Sequence, residues 1–226
     1  MPKNRGIGEA AAALLELFLP RPCAGCGGET TAGGVLCTAC QEHLRQVPRR
    51  VERPQPLGFP AWALGPYSDI RRGVIIAMKE RGHQAVRAHL GAVLAAGIEY
   101  LRARGDIPET ALLVPAPTRA SSARQRGGDP VAALCQAASA RLPGWDVFNA
   151  LSTAEGSADQ SQLGAVERAD NMRRAVLLRP CARELEGRSV LLVDDVITTG
   201  ATLRASAARV WAIGGDVAGA IVLADA

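Results

Sequence analysis

Aromatic residues are scarce in this chain: 3 Trp, 2 Tyr and 3 Phe among 226 positions, few for a stacking platform of the kind that grips single-stranded nucleic acid. Lysine is scarcer still. Only Lys3 and Lys79 occur, so 24 of the 26 basic residues are arginines. Alanine is abundant as well, the pattern of a GC-rich genome, which makes arginine count a poor functional signal. Charge of one sign is not in excess, since 26 basic residues against 22 acidic ones give +4. That excludes a histone-like polycation and leaves room for local basic patches. There is no internal repeat. No apolar run is long enough to cross a bilayer, which takes about 20 residues: the best candidate, Ala10 to Leu19, is interrupted by Glu16 and is not followed by a small-residue cleavage site. A lipoprotein reading of Cys23 fails on Pro20, Arg21 and Pro22 before it. A short amphipathic helix packed on its own protein, in the cytoplasm, is the expectation. With 48% hydrophobic and 21% charged residues, the composition is that of a globular protein. At about 150 residues per domain the length suits one full domain and a smaller appendage.

Four of the six cysteines form Cys23-x-x-Cys26, a gap of ten residues, and Cys37-x-x-Cys40, with Gly25, Gly27, Gly28, Gly33 and Gly34 interleaved. Two such knuckles let four thiolates converge tetrahedrally on one zinc ion, and glycines permit the tight turns that aim backbone amides at sulfur. Two disulfides are the rival, disfavoured in a reducing cytoplasm. Zinc held by four thiolates has no open position, so the site is read as structural. Cys135 and Cys181 have no metal spacing and are expected to be small buried or semi-buried residues.

Pro48, Pro54, Pro56 and Pro60 with Arg49, Arg50 and Arg53 make a stretch unsuited to helix or central strand. A boundary is placed there, with residues 1–55 as helix, zinc ribbon and linker, and 56–226 as the main domain. Beyond it, strand-like and helix-like patterns alternate. Strands are expected at Trp62–Tyr67, Ala111–Pro115, Trp145–Leu151, Val176–Leu178, Ser189–Val193 and Val217–Leu223. Helices are expected at Asp69–Arg81, Gln84–Arg104, Asp129–Leu142 and Ala201–Ile213, with Trp211 and Ile213 in the core, and Ser152–Asp170 reads as a polar loop. This alternation argues for an α/β fold, a mainly parallel sheet with helices on both faces.

The most informative segment runs from Val190 to Thr202: Val-Leu-Leu-Val, then Asp194 and Asp195, then Val-Ile, then Thr198, Thr199, Gly200, Ala201 and Thr202. Four aliphatics make a buried strand that delivers two acids and a hydroxyl-rich turn to the carboxyl end of a sheet, where ligands of open α/β folds bind. Thr198 to Thr202 would offer hydroxyls and amides at a helix N-terminus to a phosphate, with Gly200 allowing close approach or positive φ. The carboxylates would accept hydrogen bonds from the cis hydroxyls of a ribose. Adjacent strand residues face opposite ways, so the two acids serve one ligand only if the chain leaves the strand there.

Over these thirteen positions the chain resembles the type I phosphoribosyltransferases. That resemblance implies 5-phosphoribosyl-1-pyrophosphate as ligand, with Mg²⁺ on its pyrophosphate, Asp194 and Asp195 as catalytic acids, and the loop as phosphate site. More of the chain resembles the ComF family: the four-cysteine module, Tyr67 with Lys79-x-x-Gly82, Val114-Pro-Ala-Pro117 with Arg119, Arg124 and Arg126-Gly127, and Gln160-x-x-Leu163 with Arg168-x-x-Asn171. Members are phosphoribosyltransferase-like proteins linked to DNA uptake in competent bacteria, which implies single-stranded DNA and the competence helicase machinery as partners. The chain departs from that pattern at Arg126-Gly-Gly-Asp-Pro130, where the family usually has Arg-Gly-Phe-Asn-Gln.

Arg119, Arg124 and Arg126 suit a pyrophosphate, and a solvated arginine face explains each of them too. Lys79, the one internal lysine, suggests a site that needs a compact point charge. Gln160, Arg168 and Asn171 belong to a loop that closes over substrate or to a surface. His43, His83 and His89 read as surface or packing residues. Two functions remain open: transfer of phosphoribosyl to an unidentified acceptor with loss of pyrophosphate, and a non-catalytic single-stranded DNA-binding protein whose cations would be Arg45, Arg49, Arg50 and Arg53.

Overall fold

The computed structural model describes residues 22–31, 34–53, 55–80, 84–118, 128–154 and 176–226. The expected helix at Ala10–Leu19, Arg119, Arg124, Arg126, His83, and Gln160, Arg168 and Asn171 lie outside the described residues. In chain order the elements are α1 (Thr38–Leu44), β1 (Arg49–Arg50), β2 (Ala61–Ala63), α2 (Asp69–Lys79), α3 (Gln84–Ala103), β3 (Leu112–Pro115) and α4 (Pro130–Ser139). They continue with β4 (Leu151–Thr153), β5 (Val176–Leu178), a 3₁₀ helix (Pro180–Leu185), β6 (Ser189–Ile197), α5 (Ala201–Trp211) and β7 (Asp216–Asp225). The main sheet has the order β1-β2-β7-β6-β3. Only the β1–β2 edge is antiparallel; β2–β7, β7–β6 and β6–β3 are parallel. β4 and β5 form a separate antiparallel pair.

Alternation along each strand sorts its side chains onto two faces. Trp62, Leu113, Leu191 and Val193 enter one apolar cluster with α2, α3 and α4, whereas Ala63, Leu112, Val190 and Leu192 enter the other with α5 and the 3₁₀ helix. Helices therefore cover both faces, as strands buried on both sides require. The first cluster also takes in Cys23, Leu36, Cys40 and Leu44, so the cysteine module shares its core with α2 and α3. Among the described residues no helix is long and apolar enough to cross a membrane.

Two helices begin where a side-chain cap places them. Ser68 caps α2, its hydroxyl accepting from the Arg71 N–H at 3.3 Å. Asp129 caps α4, with Oδ1 accepting from the amides of Val131 and Ala132, and Pro130 occupies the first turn. Gly128, Asp129 and Pro130, where the ComF pattern is broken, thus serve as a helix start. Arg71 is 1% exposed. Its guanidinium donates to the carbonyls of Leu64 (2.5 Å), Leu223 (3.2 Å) and His43 (3.5 Å), tying β2, β7 and α1 to one side chain. Burial pulls its pKa down to about 10.

Four expectations need correction. Trp145–Leu151 is not one strand. It meets β3 through a single bridge at Val147, with Leu113 N–H donating to Asp146 O and Phe148 N–H to Leu113 O. The chain then turns sharply, Ala150 N–H donating to Phe148 O at 2.9 Å, and the strand proper is β4. Nor does the chain leave β6 at the acids, because Asp194, Val196 and Ile197 stay in register with Val222, Ala224 and Asp225 of β7. Trp211 is 44% exposed: the buried stripe of α5 runs through Leu203, Ser206, Ala207 and Val210, and Trp211, rotated about 100° from Val210, lies at the margin of that stripe, edge-on to Phe59. Cys181 is exposed, while Cys135 is buried as expected.

Candidate functional site

Parallel pairing delivers the C-terminal ends of β6 and β7 to one edge of the sheet, and the two acids lie at that end of β6. Asp195 pairs with the ammonium of Lys79, which arrives from the last turn of α2. Asp194 Oδ1 accepts the backbone N–H of Asp195 at 2.8 Å. Burial pushes the Asp194 carboxyl up to about 7, and the charges of Asp195 and Asp129 push the same way, against the Asp195 amide and Lys79. Asp194 therefore exchanges its proton near neutrality. The side chains of Lys79, Asp194 and Asp195, separated by 115 residues of chain, form one charged group at the sheet edge.

After Ile197 the loop turns into α5 at Gly200, which has φ +73° and is buried. A Cβ there would sit 2.5 Å from Leu57 Cδ2, so both backbone angle and space demand glycine. Thr198 and Thr199 are exposed beside it, and Ala201 and Thr202 half-buried. Thr199 Oγ1 accepts weakly from Ala201 N–H at 3.3 Å. No side chain caps α5 at Gly200, which leaves first-turn amides directed at the loop, a geometry suited to an anion. The loop is braced from behind, since the Arg204 guanidinium donates to Thr199 O at 2.9 Å and to Gln55 O at 3.5 Å.

Two contributors escaped the sequence reading. Arg53, assigned there to a basic patch, pairs with Asp225 and donates to Ile197 O at 3.1 Å, fastening the ends of β6 and β7 beside the loop. Its role depends on the Ile197–Asp225 register, which no local pattern announces. Asp129, whose carboxylate also accepts from Thr118 Oγ1 at 3.0 Å, adds negative potential at Asp194. Its sequence signal, Asp before Pro, spoke only for a helix start.

The second site is the cysteine module. All four Sγ atoms lie within 4.8 Å of one another, and Cys26 and Cys37 are 3.8 Å apart, the edge of a tetrahedron whose metal–sulfur bonds are about 2.3 Å. Burial would push the Cys23 thiol up, but backbone amides of Cys26, Cys37 and Gly25 outweigh it and bring it down to about 6. Cys40 is pushed up by burial and then by the thiols of Cys37, Cys23 and Cys26. The spacing and the soft donor set fit a metal ion such as zinc.

Comparison with known proteins places the first site in context. Residues 147–226 match the phosphoribosyl transferase domain. That segment holds β6, both acids, the Thr198–Thr202 loop, α5 and β7, and it is phosphoribosyltransferase-like. Among solved structures, orotate phosphoribosyltransferase of Mycobacterium tuberculosis, in complex with Fe(III) dicitrate, is 25% identical over 83% of this chain and 82% of its own, with a TM-score of 0.36. Adenine phosphoribosyltransferase of Rhodothermus marinus is 20% identical over 83% of this chain and 86% of its own, also with a TM-score of 0.36. At that overlap the two add nothing to the domain match. No curated protein matches the chain.

Proposed function

We propose that this protein binds 5-phosphoribosyl-1-pyrophosphate and transfers its phosphoribosyl group to an acceptor. The observation that carries the reading is the continuity of one strand, two acids and one loop: β6 presents Asp194 and Asp195 and passes directly, through Gly200, into the uncapped start of α5. Thr198, Thr199, Gly200, Ala201 and Thr202 hold the 5-phosphate with hydroxyls and amides. Because β6 stays a strand through the acids and ends just beyond them at Ile197, the ribose sits over the strand end rather than on either face. There Asp194 and Asp195 accept hydrogen bonds from its diol from the two sides, and Lys79 fixes the rotamer of Asp195. When the bond from the anomeric carbon to pyrophosphate breaks, positive charge grows on the ribose, and the acid pair stabilises it from a half-buried position. Mg²⁺ bound together with the substrate would neutralise charge on the leaving pyrophosphate. Arg119, Arg124 and Arg126 would add to that neutralisation from the segment after β3.

The proposal keeps the ComF-type assignment, a structural zinc on Cys23, Cys26, Cys37 and Cys40, residues 1–55 as module and linker ahead of a transferase domain, and the cytoplasm as compartment. For the DNA-binding alternative, Arg45, Arg49 and Arg50 are exposed, but Arg53 is bonded to Asp225, so the observations favour the transferase.

Thermal unfolding with phosphoribosyl pyrophosphate and Mg²⁺ tests the reading. Ligand at about 100 times its dissociation constant should add roughly 2.7 kcal/mol to the wild type, and Asp195→Asn or Thr199→Ala should remove most of that gain. Equal stabilisation of all three proteins would place the ligand elsewhere. Release of pyrophosphate on addition of nucleobase, nucleoside or amine mixtures then separates a transferase from a protein that only binds.

A further inference from the structure

The cysteine module grips α2, the helix whose last residue reaches the acid pair. The carbonyls of Ala24 and Gly25, in the first knuckle, lie directly on Gly73 in the middle of α2. A Cβ at Gly73 would stand 2.8 Å from Ala24 O and nearer still to Gly25 O, distances that no side chain tolerates. Gly25 in turn is wedged between Cys40 Sγ and Ile70 of α2, 2.9 and 3.2 Å from where its Cβ would be. A second grip lies at the start of the helix. His43, in the last turn of α1, meets the capping Ser68 hydroxyl at 3.0 Å, and the His43 carbonyl accepts from Arg71. Beyond both grips, toward Lys79, Val74, Ile75 and Met78 share one apolar cluster with Cys23, Leu36, Cys40 and Leu44.

From Gly73 to Lys79 is six residues, about 9 Å along a stiff helix. An axial shift or roll of α2 at Gly73 is thus passed to the base of the Lys79 side chain, and lengthening an ion pair from about 3 to about 5 Å removes roughly two-fifths of its attraction. We propose that the cysteine module is a positioning element for the acid pair: metal on the four thiolates sets the Ala24–Gly25 carbonyls against Gly73, and Gly73 thereby places Lys79 on Asp195. Gly73 touches neither acid and acts only through Lys79. The structural link stands on the contacts themselves, while its consequence for ligand binding rests on the proposed transferase reading.

Having only two lysines, the chain lends itself to a direct test. In full-length protein carrying ¹³C,¹⁵N-lysine, two side-chain Cε–Hε signals are expected, with Lys79→Arg identifying one and Asp195→Asn giving its unpaired position. Removing zinc with a chelator, or making Gly73→Ala with zinc still bound at one equivalent, should move the Lys79 signal at least halfway to that position and leave Lys3 in place. Returning zinc should restore the chelated sample. If chelation unfolds the protein, Gly73→Ala decides alone. A Lys79 signal that stays put in Gly73→Ala overturns the proposal, and so does purified protein without stoichiometric zinc. A second arm measures binding of phosphoribosyl pyrophosphate with Mg²⁺ by calorimetry. Gly73→Ala should weaken it about tenfold when Lys79 is present and hardly at all in Lys79→Ala, the non-additivity expected of residues that act as a unit. Equal losses in both backgrounds overturn the positioning role. A wild type that binds no ligand refutes the transferase reading instead, and the lysine spectrum still decides this one.

Discussion

Asp194 concentrates the electrostatics of the site in one carboxyl. Its pKa is raised from 3.8 to about 7, by burial first and then by Asp195, so the folded state holds a proton that the unfolded chain gives up near pH 4. Stability linked to this group is present in full below about pH 4 and falls as pH climbs through 7, because above that the folded protein must carry a buried charge. Asp194→Asn removes the titration. Its melting temperature should exceed that of the wild type at pH 8 by several degrees, and the two curves should converge toward pH 4. Parallel curves from pH 4 to pH 8 would show that the carboxyl is solvated. The same substitution should abolish ligand-induced stabilisation at pH 8, so one side chain would trade stability for binding, as buried acids at functional sites do.

At the scale of the element, α4 shows a departure from a family pattern being taken up by local structure. Asp129 accepts from two first-turn amides and from Thr118, and Pro130 needs no hydrogen bond where it stands. Asp129→Ala should cost about 1–2 kcal/mol, a fall of roughly 2–8 °C in a domain of this size. Asp129→Asn retains a competent cap and removes a charge that adds to the effect of burial and Asp195 in raising Asp194. In urea titrations the alanine variant should lose stability at every pH, whereas the asparagine variant should lose little and lower the pH midpoint of the Asp194 transition. Equal behaviour of the two would mean that Asp129 acts only as a cap. The strands teach a related lesson. Both β6 and β7 run further than their aliphatic runs suggest, because their mutual hydrogen bonding carries Asp194, Val196 and Ile197 along with it.

For the whole molecule, the decisive fact is that Cys23, Leu36, Cys40 and Leu44 are buried in the same cluster as α2 and α3, and that β1, at Arg49–Arg50, adds an edge strand to the sheet. The cysteine module is thereby stitched into the main core on both sides of α1. Structural zinc contributes on the order of 10 kcal/mol to small modules, and here its removal should reach the whole fold. Calorimetry of Cys23→Ser/Cys26→Ser, or of chelated wild type, should show one transition displaced to lower temperature. An early transition for the module followed by a main one at the wild-type temperature would mean that the module is energetically separate. Because Cys40 must give up its proton to bind metal and its pKa is raised, zinc should also be lost more readily as pH falls.

Much of this architecture was written in local pattern. The paired Cys-x-x-Cys knuckles, the aliphatic run of β6, the acids after it and the Thr-Thr-Gly turn are each set by neighbours within a dozen residues, where spacing, periodicity and glycine conformation decide the outcome. The parallel sheet with helices on both faces followed from the alternation of such segments. What tertiary structure decided was every relation between distant segments. Lys79 was legible as an unusual lysine, but its partner Asp195 was not, because the ion pair requires α2 to lie across the end of β6. Arg53 left the basic patch for Asp225 through a strand register. Trp211 turned outward because the phase of α5 against the sheet is set by Leu203 and Val210, and Arg71 became a buried cation because three carbonyls from separate segments converge on it. Buried charge and long-range pairing gain their energy from desolvation and from groups remote in sequence, and that energy exists only once the chain has closed around them.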